Sequence, residues 1–301
     1  MSRQPLTVAT PPHLRDHHFE GQPVFPSVLA LELLAGAVRA AAPDVDVRSS
    51  RDARFLRWLP TDPGRPSLEA QVELSVVAGE ATARASLLTL ARAGRAGLTR
   101  ALEHVAVSFG RDDDPGAAPT TTAPEPALWQ TLRRQGLGVE AATLYAELVP
   151  FGPSFHNALD PIWLAPGGAL GLLRAPTAEE RRAQPDGLLG SPYPLDAAMH
   201  LACAWSQHFC GAVTFPTGYT RRRVLRPTRP GERYTGCVVP ARPGDGDGGG
   251  SASPPLTFDL WICGLDGGAP DLEVVHEVVE GLRMEDLSRG RLRPPERIRA
   301  R

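Results

Sequence analysis

SVLALELLAGAVRAAA, residues 27–42, reads as a helix that is apolar on nearly every side. Such a helix needs a wall around most of its circumference, not a single packing face. Strand-like runs follow it: DARFLRWLP (52–60), LEAQVELSVVA (68–78), ATARASLLTLA (81–91) and ALEHVAVSFG (101–110). A second apolar helix, PLDAAMHLACAWSQHF (194–209), comes after short strands around DPIWLA and GALGLLRA. Four more strands trail it: TGYTRRRVL, ERYTGCVV, LTFDLWICG and LEVVHEVVEGLRM. Each half of the chain is therefore one buried helix with a meander of alternating strands.

A long helix wrapped by a curved antiparallel sheet is the hotdog arrangement, an α+β fold. Two tandem copies make a double hotdog. The expected division is an N-terminal hotdog at 1–112, a linker at 113–126, a C-terminal hotdog at 127–287 and an Arg/Pro-rich tail at 288–301. The linker lies in RDDDPGAAPTTTAPEP (111–126), which lacks apolar periodicity. ARPGDGDGGGSASPP (241–255) reads as a loop between strands, and the tail as extended or disordered. On pattern alone, two unrelated α+β domains remain the alternative.

The chain has 301 residues, 42% of them hydrophobic, which is enough for two cores. A net charge of -2 gives no global attraction to nucleic acid or to an anionic membrane. All 32 basic residues are Arg. The four cysteines, Cys203, Cys210, Cys237 and Cys263, sit in apolar stretches without a CxxC pair. They read as free buried thiols, and no zinc site is expected. The N-terminus has no signal-peptide core, and no run reaches the roughly 18 apolar residues of a membrane span. The expectation is a cytoplasmic protein.

Three motifs carry chemistry. In DHHFEGQPVFP (16–26), Gly21 permits a tight turn or a close approach, and Pro26 stands at the mouth of the first helix. Free amides at that helix start could polarise a carbonyl, and a histidine on the adjacent loop could take a proton alpha to it. Read alone, the stretch is more readily a plain surface feature. In YPLDAAMHLACAW, Asp196 and His200 are spaced i, i+4 and share one helix face. The helix dipole lowers the pKa of Asp196 and burial raises it; an acid needs burial to win. Here the alternative is a helix-start carboxylate with a satisfied core histidine. In PFGPSFHNALDPIW (150–163), Gly152-Pro153 marks a turn, and Phe151 and Phe155 could wall a pocket.

In this order the motifs resemble the dehydratase domains of modular polyketide synthases and of related polyunsaturated fatty acid and enediyne synthases, over about residues 14–285. Asp16-His17, Gly21 and Pro26 fit the family's DH-x3-G-x4-P. Pro194-Leu195-Asp196 and His200 fit its D-x3-H form, and Phe151 to Phe155 fit its YGPxF stretch except at the first position. FPTGY, ending at Tyr219, looks like its LPxxW-type segment. The resemblance implies a hydro-lyase acting on a β-hydroxyacyl chain borne on the phosphopantetheine of an acyl carrier protein. His17 would be the base, Asp196 the acid, and His200 would orient Asp196 or the leaving water. It implies no metal or redox cofactor, and partners among the other domains of a synthase. A homodimer is expected by analogy.

A second pattern overlaps the first. Single-hotdog dehydratases use H-x2-G-x4-P with a carboxylate fourteen positions after the histidine; His18, Gly21, Pro26 and Glu32 satisfy it. Two hotdog halves with Asp196 in the second helix leave no need for Glu32 as acid, so His17 with Asp196 is preferred to His18 with Glu32. Ser27 replaces the glycine that usually follows the proline, and Phe151 lacks the usual tyrosine hydroxyl. Only 16 residues precede His17, so a leading strand is expected to be short or missing. The competing functions are a double-bond isomerase or cyclase with the same base, and a non-catalytic acyl-binding module. Arg221-Arg222-Arg223 and the tail are candidate carrier-docking patches, against the plainer reading of a solvated basic run.

Overall fold

In the computed structural model, residues 2–76, 81–93, 98–110, 124–180, 187–241, 255–267 and 269–299 are described. Fourteen strands and four α-helices lie in that span. The first half holds β1 (Ser2–Ala9), the short hairpin β2 (His18–Phe19) and β3 (Gln22–Pro23), and the helix α1 (Ser27–Ala41). Its remaining strands are β4 (Ser49–Phe55), β5 (Ser67–Val76), β6 (Thr82–Ala93) and β7 (Leu98–Gly110). The second half opens with α2 (Pro126–Gln135), β8 (Leu137–Val139) and a single turn, α3 (Ala141–Thr143), which runs into a π-helical turn, Leu144–Leu148. Then come β9 (Ala158–Ala165), β10 (Gly168–Arg174) and the helix α4 (Tyr193–Trp205). It closes with β11 (Phe215–Val224), β12 (Arg233–Pro240), β13 (Leu256–Asp266) and β14 (Ala269–Glu285).

Twelve strands form one sheet in the order β1-β5-β6-β7-β4-β11-β14-β13-β12-β10-β9-β8. Every pairing is antiparallel, and the halves join where β4 pairs with β11 from Arg54↔Gly218 to Ser49↔Arg223. The sheet wraps two helices, so the fold is a double hotdog. All of α4 from Tyr193 to Trp205 is buried. Helix α1 buries Leu31, Leu34, Ala35 and Val38 but leaves Gly36 and Arg39 exposed, so its enclosure is less complete than its composition suggests. Each fully buried leucine contributes about 2 kcal/mol of transfer free energy, which makes these helices the centre of the core.

The structure corrects four sequence expectations. The leading strand is present: β1 pairs with β5 over eight residues. DARFLRWLP is a strand only to Phe55; after it Leu56 takes a bond to the His104 carbonyl and the chain leaves the sheet. The tail packs back: Ile298 is buried, Arg297 pairs with Glu147, and Arg291 pairs with Glu20 at 3.0 Å. Cys210 is exposed, whereas Cys203, Cys237 and Cys263 are buried. Most of the linker and of the 241–255 loop lies outside the described residues. Helix α2 was not anticipated; Trp129 and Leu132 lay it over Ala165, Leu170 and Trp261 on the outer face of the second half. Among the described residues, no helix is long and apolar enough to cross a membrane.

Candidate active site

The doubled histidine enters on a taut loop. Glu20 and Gly21 both have positive φ, 47° and 78°, which makes a two-residue turn between β2 and β3. Gly21 is thus needed for its backbone; a Cβ there would meet nothing within 4 Å. The loop holds itself by a bond from the Val24 amide to the His17 carbonyl, 2.9 Å. It also holds the His17 ring, whose Nδ1 lies 2.9 Å from the Val24 carbonyl. A carbonyl only accepts, so Nδ1 carries the proton and Nε2 of the neutral ring keeps its lone pair. The ring is packed by Phe151 and Phe155, with centroids 4.4 and 5.0 Å away. Burial pushes the His17 pKa below the usual imidazole value, against the pull of Asp196 and the Val24 bond. Burial therefore favours the neutral ring that a base requires.

Motifs far apart in sequence dock to set this loop. Asp16 accepts bonds from the Ser154 amide and hydroxyl, at 3.0 and 2.6 Å. The Gly152 amide donates to the Asp16 carbonyl, 2.8 Å, and a Cβ on Gly152 would stand 2.5 Å from the Asp16 carboxyl carbon. Glycine at 152 is therefore required by close approach. His13, one turn earlier, lies 3.1 Å from the Tyr193 hydroxyl at the start of α4.

Helix α4 supplies the second wall. Asp196, Met199, His200, Cys203 and Gln207 line one cavity at i, i+3, i+4, i+7 and i+11, a single helix face continued into the following turn. His200 Nε2 lies 3.1 Å from Asp196 Oδ2, a close approach whose angles fall short of a formed hydrogen bond. Behind His200 stands Tyr145. Its hydroxyl oxygen accepts the amides of Asn157 and Ala158, at 3.0 and 2.7 Å, and sits 3.3 Å from His200 Nδ1. With both lone pairs taken, the hydroxyl proton can go only to Nδ1, which leaves the ring proton of His200 on Nε2, the nitrogen nearer Asp196. Burial raises the Asp196 pKa, but the contact of His200 and the positive charge that His200 and His17 carry when protonated outweigh it, and the net direction is down. The condition set for an acid, that burial should win, is not met by Asp196 alone. His17 and Asp196 therefore have to be treated as a pair that shares protons.

His17, His18, Gly21, Ser27, Phe151, Asp196 and His200 all line this cavity, whose volume is about 1070 Å³. The other named residues do not. Pro26 caps α1 through its carbonyl, which accepts the Leu29 and Ala30 amides at 3.1 Å. Gly152, Pro153 and Phe155 lie behind the wall and support His17. Tyr219 is a core residue: it is fully buried, and its hydroxyl lies 2.8 Å from the Ser50 hydroxyl, off the cavity. Glu32 also lies off the cavity. It accepts the Leu189 amide at 3.1 Å, and burial pushes its pKa up to about 7 against the pull of Arg222. His18 and Glu32 thus do not share a cavity wall. The docking patch is also broken, because strand alternation turns Arg222 inward onto Glu277 at 2.6 Å, both buried.

Sequence reading missed several lining groups. Phe19, Trp58 and Phe215 form an aromatic cluster with centroid distances of 5.0, 5.0 and 5.5 Å. Leu287 and Leu292, beside and within the tail, close part of the wall. Tyr145 and His104 also carried no motif. An aromatic pair around a Pro-rich loop was the one available signal for the cluster.

The family model described as polyketide synthase dehydratase N-terminal domain matches residues 110–268, just over half of the chain. That span carries α4 with Asp196 and His200. The chain therefore belongs to the polyketide synthase dehydratase family, hydro-lyases that act on β-hydroxyacyl thioesters. Solved structures of similar fold include the dehydratase domain from the CurF module of curacin polyketide synthase, 18% identical with a TM-score of 0.67, covering 94% of this chain and 92% of that one. The dehydratase domain of a mycocerosic acid synthase-like synthase is 20% identical with a TM-score of 0.70, covering 94% and 90%. The bifunctional dehydratase-cyclase domain of ambruticin biosynthesis is 18% identical with a TM-score of 0.63, covering 94% and 91%. Among curated protein sequences, no match is found.

Proposed function

We propose that His17 and Asp196 carry the dehydration between them, one from each hotdog half, on a β-hydroxyacyl chain held by the phosphopantetheine of an acyl carrier protein. The observation that supports this most is the shared cavity: His17, with Nδ1 tied to Val24, and Asp196, backed by His200, both line it. His17 Nε2 takes the α-proton. The C–H electrons become the α,β double bond as the β-carbon–oxygen bond breaks, and Asp196 gives its proton to the departing hydroxyl. Water leaves, and the proton on His17 returns to Asp196 before the next turnover. The amides at the start of α1, beside Ser27, would polarise the thioester carbonyl.

The productive state has one proton on the pair, held by Asp196. The imidazolium–carboxylate form holds the same number of protons, so the two interconvert without exchange with solvent. A bound acyl chain displaces water from an apolar site, and this penalises the charged form most. No metal or redox cofactor takes part in these steps. The carrier protein, the neighbouring synthase domains and a homodimeric state belong to this same proposal.

The test is incubation of β-hydroxybutyryl and longer β-hydroxyacyl carrier proteins with the protein, followed by intact-mass measurement. Loss of one water per chain is expected. If every hydroxyacyl chain keeps its water while an enoyl chain has its double bond moved or is cyclised, the dehydratase reading is wrong.

A further inference from the structure

The cavity has a second polar station, remote in sequence from the residues above and unused by the elimination. His104 on β7 and Thr89 on β6 both line it, among Leu56, Leu87, Leu102 and Val105. His104 is 3% exposed. Its Nδ1 lies 3.1 Å from the Trp58 carbonyl and its Nε2 lies 2.7 Å from the Thr89 hydroxyl. Burial lowers the His104 pKa, against the backbone bonds that raise it, which favours a neutral ring. The carbonyl can only accept, so Nδ1–H donates to it and Nε2 is an acceptor. Thr89 must then spend its one proton on Nε2. Its oxygen keeps a free lone pair, and Thr89 is only half-buried at the cavity wall. A polar pair in an apolar wall, with its donors consumed internally, offers an incoming chain only an acceptor.

We propose that the Thr89–His104 pair reads a hydroxyl on the acyl chain beyond the β-carbon, so that the substrate class is a polyhydroxylated acyl thioester. This rests on the dehydratase reading of the cavity and specifies its substrate. The size of the cavity fits: at about 1070 Å³ it lies at the upper end of ordinary ligand sites and far exceeds the needs of a four-carbon chain. The station is also tied to the catalytic loop. The Trp58 whose carbonyl holds His104 stacks on Phe19, two residues after His17, at 5.0 Å and 13°. A chain filling the cavity from His17 would therefore run along Trp58 toward Thr89.

The experiment compares β-hydroxyacyl pantetheine thioesters of one length whose distal position bears a hydroxyl, a methoxy or a methyl group, with the position varied along the chain. At the matching position the wild-type protein should favour hydroxyl over both others by about tenfold or more in kcat/KM, as one buried hydrogen bond provides. Methoxy is the decisive control, since it keeps the oxygen and loses the donor. Thr89→Val should bring the hydroxyl-to-methyl ratio within about twofold of one, and Thr89→Ser should restore it. Binding of the corresponding saturated chains without a β-hydroxyl is measured by calorimetry, so a protein that dehydrates nothing still reports on the station. Equal treatment of hydroxyl, methoxy and methyl at every position overturns the proposal. So does a Thr89→Val change that weakens all chains alike, which would mean that the station contacts the pantetheine arm common to them.

Discussion

Asp16 accepts both the amide and the hydroxyl of Ser154, a residue 138 positions away, and thereby joins the loop of His17 to the FGPSF turn. The family's first and middle motifs are thus two faces of one joint. Asp16→Ala leaves the Ser154 amide without its carboxylate, and Gly152→Ala forces a Cβ against the Asp16 side chain. Each should cost about 1–3 kcal/mol in chemical denaturation and lower kcat well before the protein unfolds. A Gly152→Ala protein with wild-type stability and rate would contradict the joint.

The Tyr145 hydroxyl sets the His200 tautomer. Tyr145→Phe strands the Ala158 amide, leaves the Asn157 amide only its bond to the Phe155 carbonyl at 2.9 Å, and frees the ring of His200 to flip. We expect a fall in kcat of at least about tenfold with KM changed little, together with a stability loss of about 1–3 kcal/mol. His200→Gln, which keeps a donor toward Asp196, should retain far more of kcat than His200→Leu at comparable melting temperature. Equal rates for the two would remove the positioning role.

Glu32 supplies a pH signature without catalysis. Its folded pKa of about 7 lies above the ordinary value of 4.5, so between these pH values the native state binds more protons than the unfolded one. Stability from this group is complete below pH 4.5 and is lost as pH rises through 7, by at most about 3 kcal/mol. Glu32→Gln should flatten that part of the stability curve and leave the protein more stable than wild type at pH 8. A mutant with the same pH slope as wild type would contradict the raised pKa.

The buried Arg222–Glu277 pair links β11 to β14 beneath the junction of the halves. Arg222→Met or Glu277→Leu alone should destabilise by about 3–5 kcal/mol, and the double substitution by much less. Additive losses in a double-mutant cycle would mean that the pair is not coupled.

Much of this was legible in residues 27–42 and 194–209, because a helix apolar on nearly all sides demands an enclosing sheet. Strand β5 follows its alternation closely, whereas β6 and β7 bury consecutive runs, residues 85–88 and 104–107, around a bulge at Leu87/Leu88. Asp196 and His200 were legible as a pair because i, i+4 spacing fixes a shared face without tertiary information. Tyr145 was not, since its role comes from a hydrogen bond across 55 residues. Tyr219 and Arg222 were misread for one reason: neighbours on a strand point to opposite faces, and sequence does not say which face meets the cavity. The tail was misread because its charge pattern hid Ile298 and Leu292, which pack inward.

On this reading His17 and Asp196, and not His18 and Glu32, share the elimination. Single-turnover dehydration of a β-hydroxyacyl carrier protein by His17→Phe, Asp196→Asn, His18→Phe and Glu32→Gln, with folding checked by circular dichroism, tests it most directly. Losses of about a thousandfold or more are expected in the first two, and rates within about tenfold of wild type in the last two. Folded His17→Phe or Asp196→Asn protein that turns over at the wild-type rate, or inactive His18→Phe and Glu32→Gln proteins beside it, would rule out the pairing of His17 with Asp196.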